Sequence, residues 1–336
     1  MNGESSNRLI GLDLIKIIAC FLVIGLHTCT PKNIQVCLSS IIYYTGVIAI
    51  PLFFITNGYL LFGKTKQNQW YSYKKIGRIL LLTFILNGII CLYYAIIEHR
   101  FWNPIPEIVL NLFFQKGFFW HFWFFGSLIL IYLVFPLLDS LYLHKQKYFI
   151  ILSGFLIFTQ CAIDVLNIYF LTKYNDVIYS HVPQAFWLES HFSYFLLGGI
   201  LKLFKSRIMK YATIGNIVLL YGIAIVYQFF MIKNVYPELK CEFFHDNLII
   251  ICLSSLLFVY MSNIHQINIK SSRKIISTVA SLIMVIYIIH PFVIMLYYQF
   301  IKIYINIVQL LTVFIISALL SWILLKIPYA KNIFRI

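Results

Sequence analysis

Charge is what this sequence has least of. Only 11% of its 336 residues are Asp, Glu, Lys or Arg, where a soluble domain carries about a quarter. A soluble fold is excluded, and no soluble domain has room beside the apolar segments. Acids are scarcer than bases, 11 against 26. In a soluble protein the resulting charge of +15 would suggest nucleic acid. In so apolar a chain, retention of Lys and Arg on the cytoplasmic side of a membrane accounts for it. The seven cysteines include no Cys-x-x-Cys pair, so neither a metal nor a redox motif is expected. A Gly-x-Ser-x-Gly elbow, a His-Glu-x-x-His helix and a phosphate loop are also missing, which sets aside the hydrolase, metalloprotease and nucleotide-loop chemistries they carry. There is no internal repeat. The first apolar run is long and lacks a small-residue cleavage site, so it is expected to remain as a span.

Long apolar runs are what the chain does have. Crossing about 30 Å of hydrocarbon takes about 20 residues, and ten runs qualify, near 9–29, 39–62, 76–97, 119–141, 148–166, 186–204, 211–232, 246–263, 278–300 and 306–327. The expected fold is therefore all-α, a polytopic membrane protein of about ten transmembrane helices forming one domain over 1–336. The fifth run is interrupted by Asp164 and Asn167, and 103–117 reads as an interfacial helix. Loop charges alternate. One set of loops carries Lys64, Lys75 and Arg78, then Lys145 and Lys147, then Lys202, Lys205 and Lys210, then Arg273 and Lys274; the other set holds most of the acids, including Glu98, Asp176 and Glu242. This places both termini in the cytoplasm and the protein in the cell membrane.

Ionisable groups inside a membrane are costly and default to a functional reading. The first run, RLIGLDLIKIIACFLVIGLH, contains Asp13, Lys16 and His27. Asp13 and Lys16 are three apart and neighbours on one face. Lys16 and His27 are eleven apart, close to three turns, so they share a face roughly 16 Å apart along the axis. Read singly, Asp13 and Lys16 are an interfacial ion pair and His27 an interfacial residue; together on one face they suggest a site. Asn57-Gly58-Tyr59 lies deep in the second run, either as a packing kink or as the polar wall of a cavity. Lys75 and Arg78 open the third on one helix face, as a membrane anchor or as a phosphate site. His121 and Trp123 crowd the start of the fourth, Glu189 and His191 that of the sixth, and His290 precedes Pro291 in the ninth. That proline frees a backbone carbonyl, which His290 would either simply satisfy or abandon to line a cavity.

Taken in order, these residues resemble the acyltransferase-3 family of integral membrane acyltransferases, which includes bacterial surface-polysaccharide O-acetyltransferases. The resemblance covers nearly the whole chain. A basic residue, ten residues and His appear as Lys16 and His27; an apolar run ending in Ser-Gly-Tyr appears as PLFFITNGYLL; a basic residue, two residues and Arg appear as Lys75 and Arg78. His-x-Trp-Phe matches at His121, Gly-Gly within 194–199, and Tyr-x-x-His-Pro at 287–291. The departures are Lys16 and Lys75 in place of Arg and Asn57 in place of Ser. Both basic changes keep the charge but lose the bidentate fork. There is no appended esterase-like domain, so the chain resembles the stand-alone members.

The resemblance implies an O-acetyltransferase with acyl-CoA, most simply acetyl-CoA, as donor substrate and no permanently bound cofactor. Lys75 and Arg78 would hold the CoA phosphates. His27 would be general base on the acceptor hydroxyl or carry the acyl group transiently. Asp13 and Lys16 would orient the donor or shape its cavity, which Asn57, Tyr59, His121, Trp123, Glu189 and His290 would line. The acceptor would be a sugar hydroxyl on a lipid-linked or surface glycan. A transporter or flippase, including an amino-acid exporter, remains the alternative, with the missing repeat symmetry against it.

Overall fold

The computed structural model describes residues 10–31, 37–64, 70–101, 103–235, 240–264, 270–301, 305–328 and 330–334. All regular structure among them is helical. The helices are α1 (Ile10–Thr28), α2 (Leu38–Thr45), α3 (Ala49–Leu61), α4 (Trp70–Ile97), α5 (Pro104–Phe113), α6 (Trp123–His144), α7 (Gln146–Tyr174), α8 (Leu188–Met209), α9 (Ile214–Asn234), α10 (Leu248–Ser262), α11 (Lys270–Phe300), α12 (Asn306–Leu324) and α13 (Ala330–Ile333). A short 3-10 turn joins α2 to α3 into one span, and another, Trp120–Phe122, leads into α6.

Every expected span corresponds to a helix, and eight are long and apolar enough to cross a bilayer. The two that fall short are α8, with its more polar sequence, and α10, whose 15 residues reach only about 22 Å. Before α10 the chain continues as the loop 240–247, which brings His245 and Asp246 into the interior with almost no exposure. The interfacial helix expected at 103–117 is α5. It begins where Pro104 follows Asn103, whose side chain accepts from Ile105 N at 3.0 Å, a cap and a proline suited to a first turn. The expected break at Asp164 and Asn167 does not occur. α7 runs through both because each finds a partner: Asp164 accepts from Asn247 Nδ2 at 3.2 Å and Asn167 from Ile178 N at 2.9 Å.

The helices sort by burial. α1, α2–α3 and α6 are mostly enclosed, whereas α4, α7, α9 and α12 turn most of their apolar side chains outward, as lipid-facing helices do. α1 is central, packed against α2, α3, α10, α11 and α12. The most extensive crossing joins α3 to α8. A Cβ on Gly58 would lie 1.9 Å from the Phe195 carbonyl oxygen, and one on Gly198 would lie 2.3 Å from that of Ile55. Only glycine allows the two backbones this approach, and it sets the position of the cavity wall carried by α3.

Candidate active site

Three histidines from three separate stretches meet at one place. His27, in the last turn of α1, stacks on His290 of α11 with 5.5 Å between ring centres and 23° between planes. His121, in the turn leading into α6, sits 5.6 Å from His290. Trp120 closes edge-on over His27 at 5.2 Å. Pro291 explains how His290 is held. Lacking an N–H, it leaves the Tyr287 carbonyl, four residues earlier, without its helical donor, and His290 Nδ1 donates to that oxygen at 2.7 Å. His121 Nε2 donates to the Ile288 carbonyl at 3.1 Å. Because carbonyls only accept, both tautomers follow: His290 Nε2 and His121 Nδ1 are acceptors. Both are buried without a partner among the described residues.

His27, His121, Trp120 and Trp123 line a chamber of about 420 Å³, with Tyr287, His245 and Glu242 on its other sides. A second cavity, of about 370 Å³, lies toward the opposite end of α1 and is lined by Lys16, Asn57, Lys64, Tyr71, Lys75 and Tyr132, among others. It holds three lysines and no acid among its described walls, a setting that favours a multiply charged anion. Tyr287 lines both spaces. Its hydroxyl donates to the His121 carbonyl at 2.5 Å, which fixes the ring as a partition between them. Thus the Lys16 end of α1 borders the basic cavity and the His27 end borders the histidine chamber.

Beyond the chamber a vestibule of about 680 Å³ opens among the loops at the other end of the bundle. Gln115, Gln184, Lys240 and Glu242 line both chamber and vestibule and so form the neck between them. Gln115 Nε2 donates to Gln184 Oε1 at 2.5 Å. Burial raises the Glu242 carboxyl above its ordinary range, while a hydrogen bond from Gln184 and the charge of Lys240 pull it back. At the rim, a hydrogen bond from His181, 2.6 Å away, holds the Asp176 carboxyl below its ordinary range. No group of three or more His, Cys, Asp or Glu among the described residues is placed to hold a metal ion.

The family model for acyltransferase-3, an acyltransferase domain, matches residues 9–326. The chain belongs to the acyltransferase-3 family. A curated protein described as an amino-acid racemase of Enterococcus faecalis is 25% identical over an alignment of 330 positions that covers 88% of this chain and 42% of that protein. The chain therefore spans less than half the length of this relative. No solved structure matches it.

Within this acyltransferase-3 domain, His27, His121 and His290 converge, with Trp123 beside them; Lys16, Asn57 and Lys75 share the basic cavity. Asn57 Nδ2 donates to the Phe53 carbonyl at 3.1 Å, which leaves its amide oxygen on the cavity side of α3. Five residues expected at the site line none of the described cavities. His290 is one, and it reaches the site through its ring contacts with His27 and His121. Tyr59 does not line a described cavity. Two residues on from Asn57, it is turned about 200° around the helix, and its ring packs against Phe258 at 5.1 Å with Lys202 and Lys205 nearby. Glu189 is likewise outside the cavities. It opens α8, where a helix N-terminus favours an acid, and accepts from Tyr179 OH at 2.6 Å. Asp13 is buried in the first turn of α1, and Arg78 is exposed on α4; neither lines a described cavity.

Sequence reading overlooked Lys64, Tyr287 and the neck. Tyr287 carried a signal in the i, i+3 spacing to His290, which places both on one face of α11. His191 was noticed only as an edge residue. It is buried between Phe54, at 4.8 Å, and Trp123, at 5.6 Å, with both ring nitrogens unpartnered among the described residues. Lys64 and Gln184 sit in turns with no periodicity to mark them.

Proposed function

We propose that the protein is a membrane O-acyltransferase, most simply an O-acetyltransferase, that moves an acyl group from cytoplasmic acyl-CoA to a sugar hydroxyl of a surface or lipid-linked glycan. One observation carries the reading: a lysine-lined cavity and a histidine-lined chamber meet at a single residue, Tyr287. A phosphate-rich donor suits the first, and a hydroxyl needing a base suits the second. Loop charge supports a cell-membrane protein with the lysine end and both termini on the cytoplasmic side.

Lys16, Lys64 and Lys75 would hold the anionic part of the donor, with Arg78 on the approach. The pantetheine arm would run along α1 and present its thioester at Tyr287. His27 would take the proton of the acceptor hydroxyl as its oxygen attacks the thioester carbon. The C–O bond forms, the C–S bond breaks, and the thiolate leaves into the basic cavity, where the proton on His27 can neutralise it. His290, stacked on His27 and fixed by the Pro291 kink, would hold the imidazole in register. His121 and Trp123 would shape the space for the two reactants. A base in this role contributes about 10²–10⁴-fold.

The test supplies purified protein in lipid with labelled acetyl-CoA and a hydroxyl acceptor. Wild type should transfer the label. His27→Ala should bind acetyl-CoA normally and transfer at least about a hundredfold more slowly. A label trapped on protein before acceptor is added, and released by hydroxylamine, would make His27 an acyl carrier instead of a base. Carriage of a small polar molecule is the second reading. It draws on the line of three connecting spaces and on the description of the Enterococcus faecalis relative as an amino-acid racemase. Absence of acetyl-CoA binding, together with amino-acid movement into vesicles, would replace the enzyme by that reading.

A further inference from the structure

The vestibule differs in chemistry from both inner spaces. One wall is a stack of aromatic rings. Tyr179 and Trp187 lie face to face, 4.1 Å between centres and 21° between planes, and Phe243 continues the stack 5.9 Å from Trp187. The rings are anchored by their polar tips. Trp187 Nε1 donates to the Val182 carbonyl at 2.9 Å, and the Tyr179 hydroxyl engages both Glu189 and Asp246. Phe243 has no such tether and is only partly buried, so it is the member with a face left to offer. An apolar wall fixed in this way binds without first having to be ordered.

The rest of the lining is polar and electrically balanced. Two acids, Asp176 and Glu242, face two lysines, Lys116 and Lys240, beside His181 and the amides of Gln115 and Gln184. The contrast with the three-lysine cavity is informative. That cavity selects negative charge, whereas this one offers no net charge and many donors and acceptors. A volume of about 680 Å³ falls within the range of small-ligand sites, about 300–1,000 Å³. A lipid chain would leave the acids, lysines and amides desolvated and unpaired, which is unfavourable for each such group. A neutral ring with an apolar face and equatorial hydroxyls satisfies both walls.

We infer that the vestibule is a carbohydrate subsite, seating a neutral pyranose unit with its C–H face on Phe243 and its hydroxyls on the Gln184–Glu242 neck. It lies outside the chamber, and its four shared residues lead directly to His27. The unit held here would neighbour the one whose hydroxyl enters the chamber. The inference rests on the glycan-acceptor reading above and names the part of the protein that recognises that acceptor.

Calorimetric titration tests it, using maltotriose, cellotriose and chitotriose against the whole protein in nanodiscs free of sugar detergents. At least one trisaccharide should bind in the millimolar range. Phe243→Ala should weaken that binding about tenfold, the value of one lost aromatic contact. Phe243→Leu keeps the bulk but not the flat ring and should weaken it as well, which separates stacking from packing. Lys210→Ala, at an exposed base lining no described cavity, should leave it unchanged. Binding by none of the three sugars, or wild-type affinity in both Phe243 variants, overturns the subsite. The two readings fail separately. Sugar binding that depends on Phe243 in a protein that never transfers acetyl groups would sink the acyltransferase and keep the subsite. Transfer to the trisaccharide with an unchanged KM in the Phe243 variants would do the reverse.

Discussion

Adding one methyl group at the α3–α8 crossing should damage the protein more than most side-chain truncations. In Gly58→Ala the new Cβ would lie 1.9 Å from the Phe195 carbonyl oxygen. An ordinary carbon-to-oxygen contact is about 3.3 Å, so α8 would have to retreat by about 1.4 Å. The obstacle is backbone and cannot swing aside, and Gly198 faces Ile55 in the same way, so the pair of helices must move as a unit. Overpacking typically costs 1–3 kcal/mol, and this geometry belongs at the upper end, about 3 kcal/mol. In a chain of this size that lowers the unfolding temperature by roughly 6 °C. Gly222→Ala is the control. Gly222 lies in α9 with nothing within 4 Å of an added Cβ, so alanine should be neutral or stabilise by up to about 1 kcal/mol. Thermal unfolding in nanodiscs, followed by near-ultraviolet circular dichroism, reads both. Because α3 also carries Asn57, Gly58→Ala should weaken acetyl-CoA binding as well. Equal unfolding temperatures for Gly58→Ala and wild type would refute the close crossing and the placement of the cavity wall that depends on it.

Three further outcomes are expected. Tyr287→Phe loses the hydrogen bond to His121 and should cost about 1 kcal/mol of stability, while Tyr287→Ala should open the partition and raise acetyl-CoA hydrolysis relative to transfer, measured as free thiol against ester formed. Lys16→Ala and Lys64→Ala should each weaken acetyl-CoA binding about tenfold at low salt, an effect that shrinks as salt screens the charge; Lys210→Ala, an exposed base lining no described cavity, should change nothing in the same titration. Glu242 supplies the pH test. Its folded-state carboxyl is raised by burial, so the folded protein holds this proton more tightly than the unfolded chain does, and stability falls as pH rises from about 4.3, the ordinary glutamate value. Glu242→Gln should therefore gain in unfolding temperature over wild type as pH rises toward neutrality and show no gain below about pH 4; a constant difference across that range would contradict it.

How much of this was legible in the residue order depends on how local each feature is. Helix formation in lipid is a local demand, since every backbone group must find its partner within the segment, so the ten apolar runs reappear as helices, with ends that differ by up to eight residues. The Lys16–His27 spacing was equally readable, because three turns of one helix need no neighbour. The kink chemistry at His290 was half readable: Pro291 announces a freed carbonyl, and the structure shows His290 on it. Polar residues inside spans misled wherever the partner lay elsewhere in the chain. Asp164 and Asn167 looked like a break because Asn247 and Ile178 were not visible as their partners.

The sequence alone determined the class of protein, the position of its apolar spans and the two chemical ends of α1, because hydropathy and the 3.6-residue repeat act within a single segment. Only the tertiary structure decided that His290 stacks against His27 and His121 at the wall of one chamber, that Lys64 joins Lys16 and Lys75, and that Tyr287 divides the two spaces. It also separated Tyr59 and Glu189 from the cavities. Those outcomes depend on how helices cross, which is set by side-chain fit and glycine contacts between segments far apart in the chain. No periodicity within one segment records that.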